Sequence, residues 1–177
     1  SNDAILSVTG INKLPVATIL TPTAGSFYTA GTLLNYSAVG NDNEDGQLGA
    51  ASFEWFVNFH HDMHIHPGPE AADGLTSGSF SIPNSGETSA DVFYRLYLVV
   101  TDSQGAKDTA YTDILPNKST ITINTNPQGL GVTIDGQPFT APVVINSVEG
   151  ILRTIGTSST QTINNALVYN FSDWSQG

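Results

Sequence analysis

The chain has 177 residues, no cysteine, one methionine and only 5 basic side chains. Each shortage removes a class of chemistry. Without thiols there are no disulfides, no thiolate nucleophile and no cysteine-ligated zinc. Five cations against 16 acidic residues leave a net charge of -11. Such a surface repels phosphate backbones and anionic membranes, so neither nucleic acid nor a membrane is an expected partner. Charged residues of both signs reach only 12% of the chain, and Ser, Thr, Asn and Gly supply the polarity instead. An average soluble domain is charged at about twice that level. The balance fits an extracellular β-protein better than a cytosolic helical enzyme. No apolar run is long enough to span a bilayer as a helix, and no helical period of useful length occurs.

What is present is a core and a strand pattern. The 177 residues give room for one large or two small domains, and a hydrophobic content of 39% is enough for a packed core. Short runs rich in Val, Ile, Thr, Tyr and Phe alternate with Gly, Pro, Asn and Asp, which predicts an all-β protein. Strands are expected near Val16–Leu20, Leu33–Val39, Ser52–Phe59, Gly78–Ile82, Phe93–Thr101 and Thr109–Ile114. Phe53, Trp55 and Val57 alternate with Glu54, Phe56 and Asn58; Tyr94, Leu96, Leu98 and Val100 alternate with Phe93, Arg95, Tyr97 and Val99. Both runs suit central strands of a sandwich, one face packed and the other partly covered. Pro116-Asn117-Lys118 marks a boundary, after which strands are expected near Thr120–Asn124, Gly131–Ile134, Val143–Ile145, Ile151–Gly156 and Leu167–Trp174. Asp135-Gly136 signals a tight turn. Ser1-Asn2 reads as a cloning remnant, residues 1–11 as tag or linker, and the chain as a segment of a longer protein.

All four histidines, His60, His61, His64 and His66, lie within seven residues that also hold Asp62. In one unbroken strand His60, His64 and His66 would share a face. Converging imidazoles at this spacing suit Zn²⁺ or Cu²⁺, with His61 assisting and Asp62 as ligand or orienting acceptor. The alternative is a polar loop whose histidines hydrogen-bond internally. A second group is the acidic turn of Asp42, Glu44 and Asp45, which suits Ca²⁺. Its alternative is an Asx-rich turn bonded to its own backbone.

Asn12-Lys13-Leu14-Pro15-Val16-Ala17, Gly40-Asn41-Asp42-Asn43-Glu44-Asp45-Gly46, Phe53-Glu54-Trp55 and Val100-Thr101-Asp102-Ser103-Gln104-Gly105 occur in the order of a polycystic-kidney-disease-type (PKD) repeat. Residues 12–116 resemble that repeat, which implies an immunoglobulin-like β-sandwich. The repeat's usual Trp-x-Phe-Gly-Asp-Gly is replaced by Trp55-Phe56-Val57-Asn58-Phe59 running into a histidine-rich insertion over residues 60–77. The resemblance brings Asn12 and Asp102 near the acidic turn, so the implied Ca²⁺ ligands are Asn12, Asp42, Glu44, Asp45 and Asp102. Residues 117–177, with Thr120–Gly129 followed by Val132-Thr133-Ile134-Asp135-Gly136, resemble a small PEGA-type β-domain. The combination resembles the C-terminal accessory region of secreted bacterial proteins related to glucose/sorbosone dehydrogenases, whose catalytic β-propeller is not in this chain.

Tyr97, Tyr111 and Trp174 are candidate exposed platforms for sugar rings, whereas Trp55 is expected in the core. No Gly-x-Ser-x-Gly elbow and no phosphate-binding glycine loop is present. The expectation is therefore a non-catalytic accessory module, secreted or at the bacterial cell surface and stabilised by ions. Its partners would be a polysaccharide or cell-surface glycan and a catalytic domain of the same parent chain. The rival readings are a metal-dependent enzyme built on the histidines and a structural or adhesive surface segment.

Overall fold

The computed structural model describes residue 5, residues 10–164 and residues 167–175. Most of the expected tag or linker over 1–11 lies outside the described residues. Apart from one 3₁₀ turn at Ala50–Ser52, all regular structure among the described residues is β. The chain divides into two units: residues 1–28, 33–81 and 92–115, and residues 29–32, 82–91 and 116–177.

The first unit contains β1 (Val16–Thr21), β2 (Ser26–Tyr28), β3 (Leu33–Asp42), β4 (Gly46–Gln47), β5 (Phe53–His61), β6 (His64–Pro67), β7 (Ser77–Ser81), β8 (Val92–Thr101) and β9 (Lys107–Pro116). One sheet is organised around β3. Asn41 pairs with both Val16 and Gln47, and Ser37 with both Thr21 and Ser77, so β1 lies on one side of β3 and β4 and β7 on the other. The other sheet has the order β2-β9-β8-β5-β6. The β5–β8 ladder runs antiparallel from Phe53↔Val100 to His61↔Val92.

The alternation read in β8 is the alternation of burial. Leu96, Leu98 and Val100 are 0% exposed, and Tyr94 and Val92 are nearly as deep. Each large apolar side chain so buried stabilises by about 1.5–3 kcal/mol. Trp55, 3% exposed, packs against Tyr36 of the opposite sheet with ring centroids 4.6 Å apart and planes tilted by 52°. A Cβ on Gly40 would stand 3.1 Å from Val100 Cγ1 and 3.3 Å from Phe53 Cζ. The two sheets thus close face to face as a β-sandwich.

The segment after β6 is not a free loop. Gly68 N–H donates to Val57 O (2.7 Å), Trp55 N–H to Asp73 Oδ1 (2.6 Å) and Gly74 N–H to Phe53 O (2.8 Å). Residues 68–74 therefore strap the edge of β5 and satisfy its backbone groups, which an open edge would leave unpaired. Tyr36 Oη holds the strap from below, accepting from Ala72 N–H (3.0 Å) and donating to Ala72 O (3.3 Å).

The second unit contains β10 (Lys118–Ile123), β11 (Gly131–Ile134), β12 (Gln137–Thr140), β13 (Val143–Val148), β14 (Ile155–Gly156), β15 (Thr160–Ile163) and β16 (Leu167–Asn170). They pair as β10-β13, β12-β11-β14 and β15-β16. Ile123, Val132, Ile134 and Ala141 form its small core, with Ile121, Val143 and Ile145 packed on it. Asp135 and Gly136 both have positive φ (50° and 79°) in the two-residue β11–β12 hairpin, as the turn signal requires. Two strand expectations shrink. Ile151–Gly156 reduces to β14, and Leu167–Trp174 ends at Asn170, so Trp174 lies beyond the strand.

Candidate functional site

The histidines form a hairpin, and the hairpin corrects their expected grouping. Asp62-Met63 is a two-residue turn, with Asp62 at φ 47°, so that His61 pairs with His64, His60 with Ile65 and Phe59 with His66. Cross-strand partners share a face. His61, His64 and His66 therefore project on one side of the sheet and His60 on the other. The reversal breaks the even spacing on which a His60–His64–His66 face depended. His61 Nε2 and His66 Nε2 are 2.9 Å apart, their rings stacked at 15° with centroids 5.0 Å apart. The His64 ring centroid is 5.5 Å from that of His61, and Asp62 Oδ2 is 3.7 Å from His61 Nδ1. His60 stacks on Phe93 at 4.3 Å, with its Nε2 buried and without a hydrogen-bond partner among the described residues. Burial, then the nearby Arg95, pulls its pKa below the ordinary histidine value. Among the described residues no three His, Cys, Asp or Glu side chains are grouped so as to hold a metal ion.

The acidic residues meet at one end of the first unit. Asn12 Nδ2 donates to Asp102 Oδ2 (2.7 Å), and Asp102 Oδ1 accepts from Gln104 N–H (2.9 Å) and Ala106 N–H (2.8 Å). The Asn12 bond, seconded by those backbone donors, holds the Asp102 carboxyl below the usual carboxylate range. Asp45 accepts from Ser103 N–H and Oγ, both at 2.8 Å, and Glu44 Oε2 from Lys13 N–H at 3.4 Å. Asp42 Oδ1 accepts from Glu44 N–H and Asp45 N–H, the Asx-turn pattern. Its Oδ2 is buried with no hydrogen-bond partner among the described residues.

The outer face of β5-β8-β9 carries an aromatic row, since Phe56 pairs with Tyr97 and Tyr97 with Tyr111. Phe56 and Tyr97 turn their faces to each other, 4.5 Å apart at 11°, and the Arg95 guanidinium lies 4.3 Å over Tyr111. Arg95 in turn forks onto Asp113 at 2.6 and 2.8 Å. The faces that would receive a sugar ring are largely spent on cross-strand packing, although Tyr111 remains 59% exposed.

The third platform residue, Trp174, has a different setting. It borders a cleft of about 360 Å³ within the second unit, a volume in the range of small-ligand sites. Trp174 (46% exposed) and Phe171 (44%) stand with ring centroids 5.3 Å apart at 54°, and Tyr169 lines the cleft with them. Asn124, Asn126, Asn170 and Asp173 also face it. One wall is fixed by Gln161, whose Oε1 accepts from Gly131 N–H (2.6 Å) and whose Nε2 donates to Gly131 O and Thr157 Oγ1 (both 2.8 Å). Phe171 N–H donates to Ser159 O (2.9 Å), tying the aromatic segment to the β15 side. Rings beside amide and carboxylate groups offer apolar contact and hydrogen bonds to one ligand, as a polyhydroxylated ring demands. Of the cleft residues only Trp174 is singled out by sequence. The Asn124-Thr125-Asn126 and Tyr169–Trp174 stretches hold the missing signal, polar and aromatic types outside regular alternation.

No protein-family model, no curated protein sequence and no solved structure matches this chain.

Proposed function

We propose that the chain is a non-catalytic, glycan-binding accessory module of a secreted or surface-exposed bacterial protein, borne beside a catalytic domain. The observation that carries the reading is the cleft of Trp174, Phe171 and Tyr169 with its side-chain amides. A pyranose has apolar C–H faces and a hydroxyl rim; half-exposed rings take the first and amides the second. The near absence of cations suits a neutral rather than an anionic glycan. The PKD-like reading of the first unit is supported by its strand order. β1-β3-β7 faces β9-β8-β5, with β6 added beside β5, as in sandwiches of immunoglobulin type. Bound Ca²⁺ at the acidic end is supported by Asp42 Oδ2, a buried carboxylate oxygen that a hard cation would satisfy.

Affinity electrophoresis through gels containing soluble neutral polysaccharides tests the function. Retardation of the wild-type chain by at least one of them, lost in Trp174→Ala, is expected. Mobility unchanged in every gel, or equal retardation of the variant, would refute the proposal.

A further inference from the structure

We propose that the face of the β5–β6 hairpin carrying His61, His64 and His66 binds Cu²⁺, with His61 and His66 as a preformed chelating pair and His64, which is not grouped with them as the structure stands, recruited as third donor on binding. It is independent of the glycan cleft. The hairpin brings His61 Nε2 and His66 Nε2 within 2.9 Å, so one shared proton or one metal must lie between these two nitrogens. Asp62 Oδ2 stands 3.7 Å from His61 Nδ1. A carboxylate on that side favours the tautomer that carries its proton on Nδ1 and leaves the Nε2 lone pair for a metal.

The spacing selects the metal. With metal–nitrogen bonds of about 2.0–2.1 Å, a separation of 2.9 Å subtends an angle of about 90° at the metal. Tetrahedral zinc would set its two nitrogens about 3.3 Å apart. A right angle belongs to tetragonal coordination, the geometry of Cu²⁺, which also heads the affinity order for nitrogen donors. His64 is exposed and lies opposite His61 on the same face. Its ring needs only a side-chain rotation to enter the coordination plane, and such rotations take nanoseconds or less at a surface. His60 cannot contribute, because it projects from the other face onto Phe93. The ion would cross-link the tip of β6 to β5 and leave coordination positions to water.

The test is titration of the full chain with Cu²⁺, read by electron paramagnetic resonance. Wild type and His60→Ala should each take up one equivalent with an axial spectrum and nitrogen superhyperfine lines. His66→Ala, an exposed change at a sheet edge, should lose that signal with an unchanged melting temperature in metal-free buffer. His64→Ala should keep a signal with fewer coupled nitrogens. No stoichiometric axial signal in the wild type, the same signal in His66→Ala, or its loss in His60→Ala would overturn the assignment.

Discussion

His60 shows how strongly one position in the sheet governs a side chain's chemistry. Its imidazole lies on Phe93, with Nε2 buried and unbonded among the described residues. Burial first, and Arg95 second, favours the neutral form in the folded protein. The unfolded chain takes up the proton from about pH 6.5 downward. Stability from this residue is therefore complete above that value and is lost as the pH falls from there through the lower folded-state pKa. Phe at this position keeps the ring contact and cannot titrate. The drop in melting temperature from about pH 7.5 to about pH 5.5, either side of the unperturbed histidine value, should be smaller in His60→Phe than in the wild type. Equal drops would show that His60 is not held neutral. The residue was legible as part of a cluster, but not its face. A side chain's face follows from parity along a strand, and a two-residue turn at Asp62-Met63 resets that parity. By contrast, Trp55 and the Tyr94–Val100 alternation were legible because unbroken strands preserve the period of two.

At the scale of elements, the edge of β5 is closed by a strap that depends on one close approach. A Cβ on Gly68 would lie 2.7 Å from Val57 Cγ1 and 2.9 Å from Val57 O. Gly68→Ala must push the strap off the edge, at a cost of about 1–3 kcal/mol. Gly49, whose Cβ would meet nothing within 4 Å, is the control. Chemical denaturation should show the loss in Gly68→Ala and almost none in Gly49→Ala; equal midpoints would refute the strap's role. In the second unit Gln161 acts as a surrogate strand, bonding both backbone groups of Gly131. Gln161→Ala leaves the Gly131 N–H without its partner, while Gly131 O keeps the Thr157 hydroxyl (2.8 Å), and should destabilise by about 1–3 kcal/mol. It should also weaken glycan binding. These devices, like the short strands β6, β12 and β15, escape a sequence reading. β6 and β12 are exposed throughout and β15 has no fully buried position, so no buried stripe marks them. The long β3, β5, β8 and β9 are visible because they bury every second residue for much of their length.

At the scale of the molecule, each unit holds its own candidate site. In the first, Asn12, Asp45 and Asp102 come together from separate segments through Asn12–Asp102 and Asp45–Ser103 hydrogen bonds. The lowered Asp102 pKa makes this end acid-sensitive: its contribution is present above about pH 4, the unfolded carboxylate value, and lost as the pH falls below it. Ca²⁺ bound to the folded state alone would stabilise the protein in proportion to the logarithm of its concentration. Melting should shift upward with added Ca²⁺ and return with EGTA, and Asp42→Asn should abolish the shift. An unchanged melting temperature in all three conditions would leave the end held by hydrogen bonds alone. Asp42, Glu44 and Asp45 were legible as one acidic turn, whereas Asn12 and Asp102 were joined to it only by the resemblance to the PKD repeat. The cleft was not legible, apart from Trp174, because it is assembled from segments around residues 124–132, 157–161 and 169–175 that no periodic pattern links.

The most direct test of the account is tryptophan fluorescence during titration with neutral oligosaccharides. The chain has two tryptophans: Trp55 is 3% exposed in the first unit's core, and Trp174 is 46% exposed at the cleft. Binding should shift the emission of Trp174 to shorter wavelength in a saturable manner, and Trp174→Phe should lose the signal while Trp55 continues to report a folded core. A saturable response that survives in Trp174→Phe, or none to any neutral oligosaccharide, would contradict the assignment of the cleft as the glycan site.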